Sequence, residues 1–382
     1  MSSVARFLTG QVSGLLLALA FAGQVSAQSR WDDALSAFAA ELSADVEADG
    51  IGGIAAGVMV DGDLVWARAF GLANRAEGTA MGTAVVSRTG SISKSVTAVL
   101  MMRLVEQGVI GLDDPVADYL PEIGRIRDRR PGARAVTFRD LASHTAGLVR
   151  EPELEDAASG AIEGWEDKVL ASLHATRFDS IPGARYQYSN IGFGTLGLAL
   201  SRAAGRPFVE MVHEEIFRPL GMTGSTFVIG ELEPRLAAGY ANLRDGSIDA
   251  AGPALEHAGR GYKVPNGGVY STVADLGRFM GAMSGVPGLR ILSEKGRSEM
   301  LRVQTPEDPD RGYGLGFSVR TDDEGRTLAS HGGSVAGYTA HMAFDPDARI
   351  GVVLLRNYQS GATNLGQVAQ GLVQTLRSRG RD

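Results

Sequence analysis

Hydrophobic residues near the start of the chain recur first at helical and then at strand spacing. An apolar helical face is predicted by Trp31, Leu35, Phe38, Leu42 and Val46, and Gly50 follows where the helix would end. Two strands are then predicted, GIAAGVMV at 53–60 and DLVWARAFGLA at 63–73. Asp61-Gly62 between them is typical of a two-residue hairpin turn. The pattern therefore predicts a helix followed by a β-hairpin.

From about Ser91 to about Arg260 the pattern becomes mostly helical, with many loops. Helices are predicted over 95–108, 138–144 and 191–205, and one more over 271–283. The C-terminal part returns to strands over 314–321, 339–346 and 349–357 and closes with a helix over 365–378. Strands at both ends and helices between them predict one sheet built from the two termini, with a helical lobe inserted.

The first 27 residues differ in character from the rest. Arg6 supplies a positive charge, GLLLALAFAG at 14–23 an apolar run, and Val25-Ser26-Ala27 a small-residue cleavage site. This order predicts a signal peptide over residues 1–27, cut after Ala27, and hence a periplasmic or secreted protein. The apolar run is shorter than the about 20 residues of a membrane span. An uncleaved anchor is the alternative, and no stable membrane insertion is expected after cleavage.

Composition narrows the function classes. The chain has 382 residues, 44% of them hydrophobic and 21% charged, as in an ordinary soluble globular protein. Its formal net charge of -7 gives no basic footprint for nucleic acid. A small-molecule or peptide substrate is therefore expected, and no nucleic-acid partner.

Several chemistries are excluded or disfavoured by missing residues. The chain has no cysteine, which excludes thiol nucleophiles, cysteine-based zinc sites and disulfides. His213-Glu214-Glu215 lacks the second histidine of a zinc-protease helix, so no metal is predicted. Gly192-Phe193-Gly194-Thr195-Leu196-Gly197 has the GxGxxG spacing but no strand before it, so close helix packing is predicted and no cofactor. No GxSxG elbow occurs, which disfavours an α/β-hydrolase.

The first candidate for chemistry is the pair Ser91 and Lys94. Residues three apart lie on one helical face, and lysine is scarce in this chain, with four in all. A buried lysine of lowered pKa can accept the proton that a serine must lose to become a nucleophile. A chance pairing is the alternative, since serine is common.

The second candidate is YQYSN, residues 186 to 190. Tyr188 becomes a general base only where a neighbouring cation stabilises its phenolate. Asn190 could hydrogen-bond both an amine and a substrate carbonyl. A tyrosine packed at a helix entry is the alternative, and Tyr240-Ala241-Asn242 has the same spacing.

The third candidate is SHGGSVAGY, residues 330 to 338, which is expected to lead into an edge strand. Gly332 and Gly333 would let a substrate lie against the backbone. The N–H of Ser334 could pair with that of Ser91 as an oxyanion hole. His331 alone would more readily be structural, and the glycines could equally mark a bulge.

Together these three segments, in this order, resemble the serine β-lactamase-related hydrolases: class C β-lactamases, D-alanyl-D-alanine carboxypeptidases, D-aminopeptidases and family VIII esterases. Four further segments agree, GLDDPVADYLPE (111–122), TFRDLASHTAGL (137–148), IFRPLGMTGSTF (216–227) and NGGVYSTVADLGRF (266–279). The resemblance spans nearly the whole chain after the leader. It also favours Tyr188 over Tyr240, because YSNIGFG matches the family and GYANL does not.

The resemblance implies a fold of the α/β plus α class, β-lactamase/transpeptidase-like. An antiparallel sheet from both chain ends would be flanked by helices and would carry an inserted, mostly helical lobe. Residues 28–382 would form one catalytic domain, with the α/β lobe at about 28–85 and 285–382 and the helical lobe at about 86–284.

The resemblance also implies roles for the site residues. Ser91 would be the acylated nucleophile, Lys94 its proton partner, and Tyr188 the general base in acylation and the activator of water in deacylation. Asn190 would position the substrate amide and Lys94. The backbone N–H groups of Ser91 and Ser334 would bind the oxyanion.

One position departs from the family pattern. The third motif of the β-lactamases and carboxypeptidases usually begins with a lysine that helps to hold a substrate carboxylate, whereas here it begins with His331. The His-Gly-Gly form resembles the peptidase and esterase relatives more. An exported hydrolase of esters or amides is therefore expected, with weak β-lactam hydrolysis at most. A penicillin-binding sensor or cell-wall binder that acylates with little turnover is the alternative, and a non-hydrolytic binding module is a third.

Overall fold

The computed structural model describes residues 31–379. The leader predicted for residues 1–27, with its cut after Ala27, lies outside the described residues. Helix α1 covers residues 31–49 and stops before Gly50, whose φ is +58°. Its five predicted face residues are all buried: Trp31, Leu35, Phe38, Leu42 and Val46. The first predicted helix and its stop are therefore confirmed.

The described strands are, in chain order, β1 (Gly53–Val60), β2 (Asp63–Asn74), β3 (Thr79–Ala80), β4 (Ser87–Arg88), β5 (Ala241–Asn242), β6 (Ile248–Asp249), β7 (Tyr270–Ser271), β8 (Arg311–Tyr313), β9 (Ser318–Thr321), β10 (Thr327–Val335), β11 (Tyr338–Asp345) and β12 (Ile350–Arg356). Eight of them form one antiparallel sheet in the order β3-β2-β1-β12-β11-β10-β9-β8. β1 pairs directly with β12. The prediction of one sheet built from both ends of the chain is confirmed.

The remaining α-helices follow in chain order: α2 (Ser93–Glu106), α3 (Phe138–Ala142), α4 (Trp165–His174), α5 (Asn190–Ala204), α6 (Phe208–Val212), α7 (Ala251–Leu255), α8 (Val264–Gly267), α9 (Val273–Met283), α10 (Glu294–Met300) and α11 (Leu365–Arg379). All of the helices predicted from the sequence are present, with ends that differ by about two residues. The lobe between β3 and β8 is mostly helical, as expected.

Two predicted strand features need correction. The strand expected over 314–321 is interrupted, because Gly316 has a φ of +80° and the N–H of Gly314 bonds back to Phe317 O at 2.8 Å. Only its second half forms a strand, β9 at Ser318–Thr321, and β8 ends at Tyr313, just before the predicted range. Residues 330–335 belong to β10 itself, and the strand that follows, β11, lies between β10 and β12 and not at the sheet edge.

The two faces of the sheet carry different helices. On one face, α1 and α11 pack over the strands, and the indole N–H of Trp31 donates to Leu376 O at 3.1 Å. On the other face, the sheet meets α2 and α9 in the main core. α2 is buried on all sides, because eleven of its fourteen residues are buried. The helix that follows Ser91 therefore crosses the centre of the protein.

The glycines of the GxGxxG segment pack α5 closely against its neighbours. A Cβ on Gly197 would overlap the ring of Pro265, and one on Gly194 would lie 2.9 Å from Tyr262 O. The packing predicted for this segment is therefore confirmed. Among the helices within residues 31–379, none combines the length and the apolar character needed to cross a membrane.

Candidate active site

Ser91 lies in a 3₁₀ turn, Gly90–Ile92, immediately before α2. Gly90 has a φ of +53°, in the left-handed region that favours glycine. Ser93 holds the turn, because its hydroxyl donates to Gly90 O at 2.7 Å and accepts from Val269 N at 3.0 Å. Ser91 is thus presented at the N-terminal end of a rigid, buried helix.

Lys94 is fully buried directly beneath Ser91. Its Nζ lies 3.0 Å from Ser91 Oγ and donates to Asn266 O at 3.1 Å. Burial holds the pKa of Lys94 well below its usual value, although the charge of Glu151 raises it in part. The amine is therefore readily neutral and can accept a proton from Ser91.

Tyr188 lies just before α5, against Lys94. Lys94 Nζ is 4.8 Å from the centre of its ring, and Arg150 Cζ is 4.9 Å from it. Burial raises the pKa of Tyr188, while a hydrogen bond with Ser91 and the charge of Arg150 lower it in part. The phenol consequently stays protonated near neutral pH and touches the serine as a hydroxyl group.

Asn190 begins α5 and approaches the site through other residues. Its Nδ2 donates to Glu151 Oε1 at 2.6 Å, and its buried Oδ1 has no hydrogen-bond partner among the described residues. The expected contact with Lys94 is made by Asn266, whose carbonyl accepts from Nζ and whose Nδ2 donates to Asn190 O at 3.0 Å. Asn190 therefore contacts the amine of Lys94 only indirectly, through Asn266.

The third motif passes the serine turn as part of β10. A Cβ on Gly90 would lie 2.8 Å from the backbone N of Ser334, and one on Gly333 would lie 3.0 Å from the backbone N of Ser91. A Cβ on Gly333 would also overlap Thr89 O. Only glycine permits this approach, which brings the N atoms of Ser91 and Ser334 to the same narrow gap.

His331 is buried and held at both ring nitrogens. Nε2 is 2.7 Å from the hydroxyl of Tyr313, and Nδ1 is 2.7 Å from Gly332 O. A carbonyl only accepts, so Nδ1 carries the proton and Nε2 accepts from Tyr313. Burial, with a smaller effect of the charge on Lys94, lowers the pKa of His331 to about 3. The third motif therefore contributes no positive charge at neutral pH.

A cleft of about 650 Å³ opens beside these residues. Tyr188, His331 and Gly332 line this cleft, as do Arg311 and Glu307, which carry opposite charges. The cleft is large enough for a small molecule or a short peptide end. No cluster of three or more potential metal ligands occurs within residues 31–379.

The sequence matches the family model described as Beta-lactamase over residues 38–374. The chain belongs to this family. It is 30% identical to Esterase EstB of Burkholderia gladioli over 331 residues, which cover 78% of this chain and 83% of that protein. It is 27% identical over 345 residues to D-alanyl-D-alanine-carboxypeptidase/endopeptidase AmpH of Escherichia coli K12, with 84% and 83% covered.

The fold agrees with this assignment. The octameric penicillin-binding protein homologue from Pyrococcus abyssi matches with a TM-score of 0.74 and 25% identity, covering 90% of this chain and 77% of that one. The chain spans just over half the length of two β-lactamase-like proteins of Dictyostelium discoideum, 57% and 56%. The predicted family and the predicted β-lactamase/transpeptidase-like fold are confirmed.

Several residues that surround the candidate site were not predicted from the sequence. Four of them contact the predicted residues directly: His144, Glu151, Asn266 and Tyr313. The first and third fall inside segments that carried the resemblance, 137–148 and 266–279, so a signal existed for them. Glu151 and Tyr313 had none, because they meet the site only through folding. Tyr240 lies elsewhere, in a small cluster with Ile51 and Tyr358.

The buried imidazole of His331 predicts a pH-dependent stability. Its pKa is about 3 in the folded protein and about 6.5 when unfolded. Between these values the unfolded chain binds one more proton, so stability falls as pH falls. From pH 7 to pH 5 we expect His331 to lower the free energy of unfolding by about 2 kcal/mol. The variant His331→Gln should not show this part of the loss.

Urea denaturation at both pH values measures this difference. His174→Gln, a substitution at an exposed histidine, controls for the change of side chain. An equal loss of unfolding free energy in wild type and His331→Gln would contradict a neutral, buried His331.

Proposed function

We propose that this chain is a serine hydrolase that cleaves an ester or amide through a covalent acyl-enzyme, within one catalytic domain of residues 28–382. The observation that carries the proposal is the 3.0 Å separation of Lys94 Nζ and Ser91 Oγ in a fully buried setting. A base of lowered pKa beside a hydroxyl group is the arrangement that activates a serine.

The first half of the reaction forms the acyl-enzyme. The proton of Ser91 Oγ moves to the neutral amine of Lys94 while Oγ bonds to the substrate carbonyl carbon. The carbonyl oxygen becomes an oxyanion and accepts hydrogen bonds from the backbone N–H groups of Ser91 and Ser334. Each such donor is worth about 10² to 10³ in rate. As the intermediate collapses, the carbonyl–leaving-group bond breaks, and Lys94 returns its proton to the leaving group through the hydroxyl of Tyr188.

The second half repeats these steps with water. Tyr188 and Lys94 remove a proton from the water as its oxygen bonds to the acyl carbon, and Ser91 Oγ departs with a proton. The pKa directions support Lys94 as the resting base and Tyr188 as the relay, in place of the phenolate base expected from the sequence. The two groups act as a coupled pair, so a pH profile reports the pair.

The neutral state of His331 supports substrates that carry no carboxylate near the scissile bond. A fixed lysine charge is absent from the third motif, and the cleft lining contains one arginine, Arg311, and one glutamate, Glu307, of opposite charge. Small esters fit this electrostatic setting best, and EstB, one of the relatives, is named as an esterase. D-Amino-acid amides are second, and β-lactams would be turned over slowly.

Export is part of the same proposal. Its support is the order of charged, apolar and small residues over 1–27, with cleavage after Ala27. The substrate would then be met in the periplasm or outside the cell.

Intact-mass spectrometry tests the nucleophile and the leader together. In protein purified from the periplasm of an expression host, the mass should correspond to a chain that begins at Gln28. A fluorophosphonate should add one stable adduct to the wild type and none to Ser91→Ala. A p-nitrophenyl ester, a D-alanyl peptide and a chromogenic cephalosporin are then compared by kcat/KM, with the ester expected to be fastest.

The same spectra separate the alternatives. A lasting β-lactam adduct without turnover of any substrate would favour a penicillin-binding sensor. A folded protein that forms no adduct with the fluorophosphonate or the β-lactam would contradict both the hydrolase and the sensor, and would leave a binding module.

Lys94 and Tyr188 should each matter for turnover and not for folding. We expect Lys94→Ala and Tyr188→Phe to lower kcat by about 10² to 10⁴, the usual worth of general acid–base assistance. Tyr240→Phe is the matched control, because the Tyr240 hydroxyl accepts from Arg75 N at 2.6 Å, away from the site. Wild-type kcat in Tyr188→Phe, together with a large loss in Tyr240→Phe, would overturn the assignment.

His331→Lys tests the substrate preference. The lysine charge should raise kcat/KM for an ester with a carboxylate, p-nitrophenyl hemiglutarate, about tenfold relative to p-nitrophenyl butyrate, which corresponds to about 1.4 kcal/mol. His331→Gln, which adds no charge, should leave the ratio near that of the wild type. The same shift in both variants would show that charge is not the cause.

A further inference from the structure

His144 lies beneath Tyr188, in the loop that follows α3. Its side chain is 1% exposed. Four rings surround it, with centroid distances of 4.2 Å to Tyr188, 4.7 Å to Tyr313, 5.0 Å to Phe193 and 5.8 Å to Tyr186. The rings of His144 and Tyr188 are tilted by 34° to one another and are in close contact at this distance.

The same residue also holds the backbone on both sides of Tyr188. Its carbonyl oxygen accepts from Gln187 N at 2.7 Å, and its Nδ1 accepts from Ser189 N at 3.0 Å. One residue thus fixes the position of the tyrosine through two hydrogen bonds and one ring contact.

The backbone of His144 is unusual for a residue with a large side chain. Its φ is +61°, in the left-handed region. Directly after a helix this conformation is ordinarily taken by glycine or asparagine. Glycine would provide the carbonyl bond to Gln187 without strain, so the imidazole contributes the two contacts that glycine lacks, the Nδ1 acceptor and the ring.

The Nδ1 acceptor exists only while the imidazole is neutral. The charged and titratable groups that face it are Lys94, Arg150, His331 and the phenols of Tyr186, Tyr188 and Tyr313. Burial, and to a smaller extent the positive charge of Arg150, hold the pKa of His144 well below its usual value. The bond to Ser189 is therefore kept throughout the neutral range.

We propose that His144 is a positioning residue, which holds the Tyr188 hydroxyl against Ser91 and its ring beside Lys94 by fixing the backbone at Gln187 and Ser189 and packing against the phenol ring. The inference rests on the proposed function only in assuming that Tyr188 relays a proton. It makes residue 144 a determinant of the rate of acylation, although it contacts neither Ser91 nor the substrate.

Two variants separate the hydrogen-bond acceptor of the imidazole from its ring contact. His144→Asn keeps an acceptor for Ser189 N and tolerates the left-handed backbone, whereas His144→Phe keeps a ring and loses the acceptor. The rate of fluorophosphonate labelling of Ser91 is measured against pH. We expect His144→Phe to label at least tenfold more slowly, with a displaced pH midpoint, and His144→Asn to stay within about threefold of the wild type at an unchanged midpoint. His213→Phe, a histidine that packs against Phe217 and Phe227, is the matched control and should match the wild type.

A second measurement needs no activity. In protein labelled with [¹³Cζ]tyrosine, the Tyr188 resonance is identified by its loss in Tyr188→Phe. Its titration midpoint should move in His144→Phe and stay in place in His144→Asn. If Ser91 is never labelled but this resonance responds as expected, the proposed function fails and the positioning role stands.

Other outcomes overturn the positioning role. One is labelling of His144→Phe at the wild-type rate. The other is an equal loss of labelling rate in His144→Phe and His144→Asn, without any change in the pH midpoint of labelling or in the Tyr188 resonance. Circular dichroism verifies folding, and if His144→Phe does not fold, His144→Gly, which removes the ring and the acceptor and relaxes the backbone, takes its place with the same expectation.

Discussion

The burial of Lys94 is the constraint on which the rest of the site depends. A lysine amine in an apolar interior is costly as a cation, so it is stable there only when readily neutral or when oxygen atoms surround it. α2 supplies the interior, because it is buried on nearly every side, and Ser91 and Asn266 supply the two oxygens at about 3 Å. The reactivity proposed for the serine thus follows from where its helix crosses the core.

A chain of hydrogen bonds through two asparagines and a glutamate holds the amine of Lys94 in place from the helical lobe. Lys94 Nζ donates to Asn266 O, Asn266 Nδ2 to Asn190 O, and Asn190 Nδ2 to Glu151 Oε1. Glu151 also accepts from the Tyr262 hydroxyl and lies 3.3 Å from Lys263 Nζ. Its negative charge raises the pKa of Lys94 against the effect of burial. The position of the amine and the ease with which it gains a proton are therefore set by the same chain.

The sheet provides the wall of the site opposite the helical lobe, and it determines the charge of that wall. β10 passes so close to the serine turn that Gly333 leaves no room for a side chain. Two residues before Gly333, His331 is neutral because its ring is buried, and Tyr313 donates to its Nε2. A residue that could carry charge in solution is thus an uncharged wall of the cleft. Burial of this ring, with a hydrogen bond from a tyrosine 18 residues away in the chain, therefore keeps the third motif uncharged.

The sequence by itself determined the elements at both ends of the chain and several of the helices between them. Hydrophobic periodicity, Asp61-Gly62 and Gly50 are local features, so α1, the first hairpin and the strands at both ends could be predicted, as could the serine–lysine spacing within one helical turn. Only the tertiary structure decided the charge state of His331 and the contact of His144 with Tyr188. It also decided that Asn190 reaches Lys94 indirectly, through Asn266. These depend on burial and on partners distant in sequence, which periodicity does not encode. The break at Gly316 belongs with them, because a Cβ there would meet Ala98 of α2, and only the packed fold brings the two together.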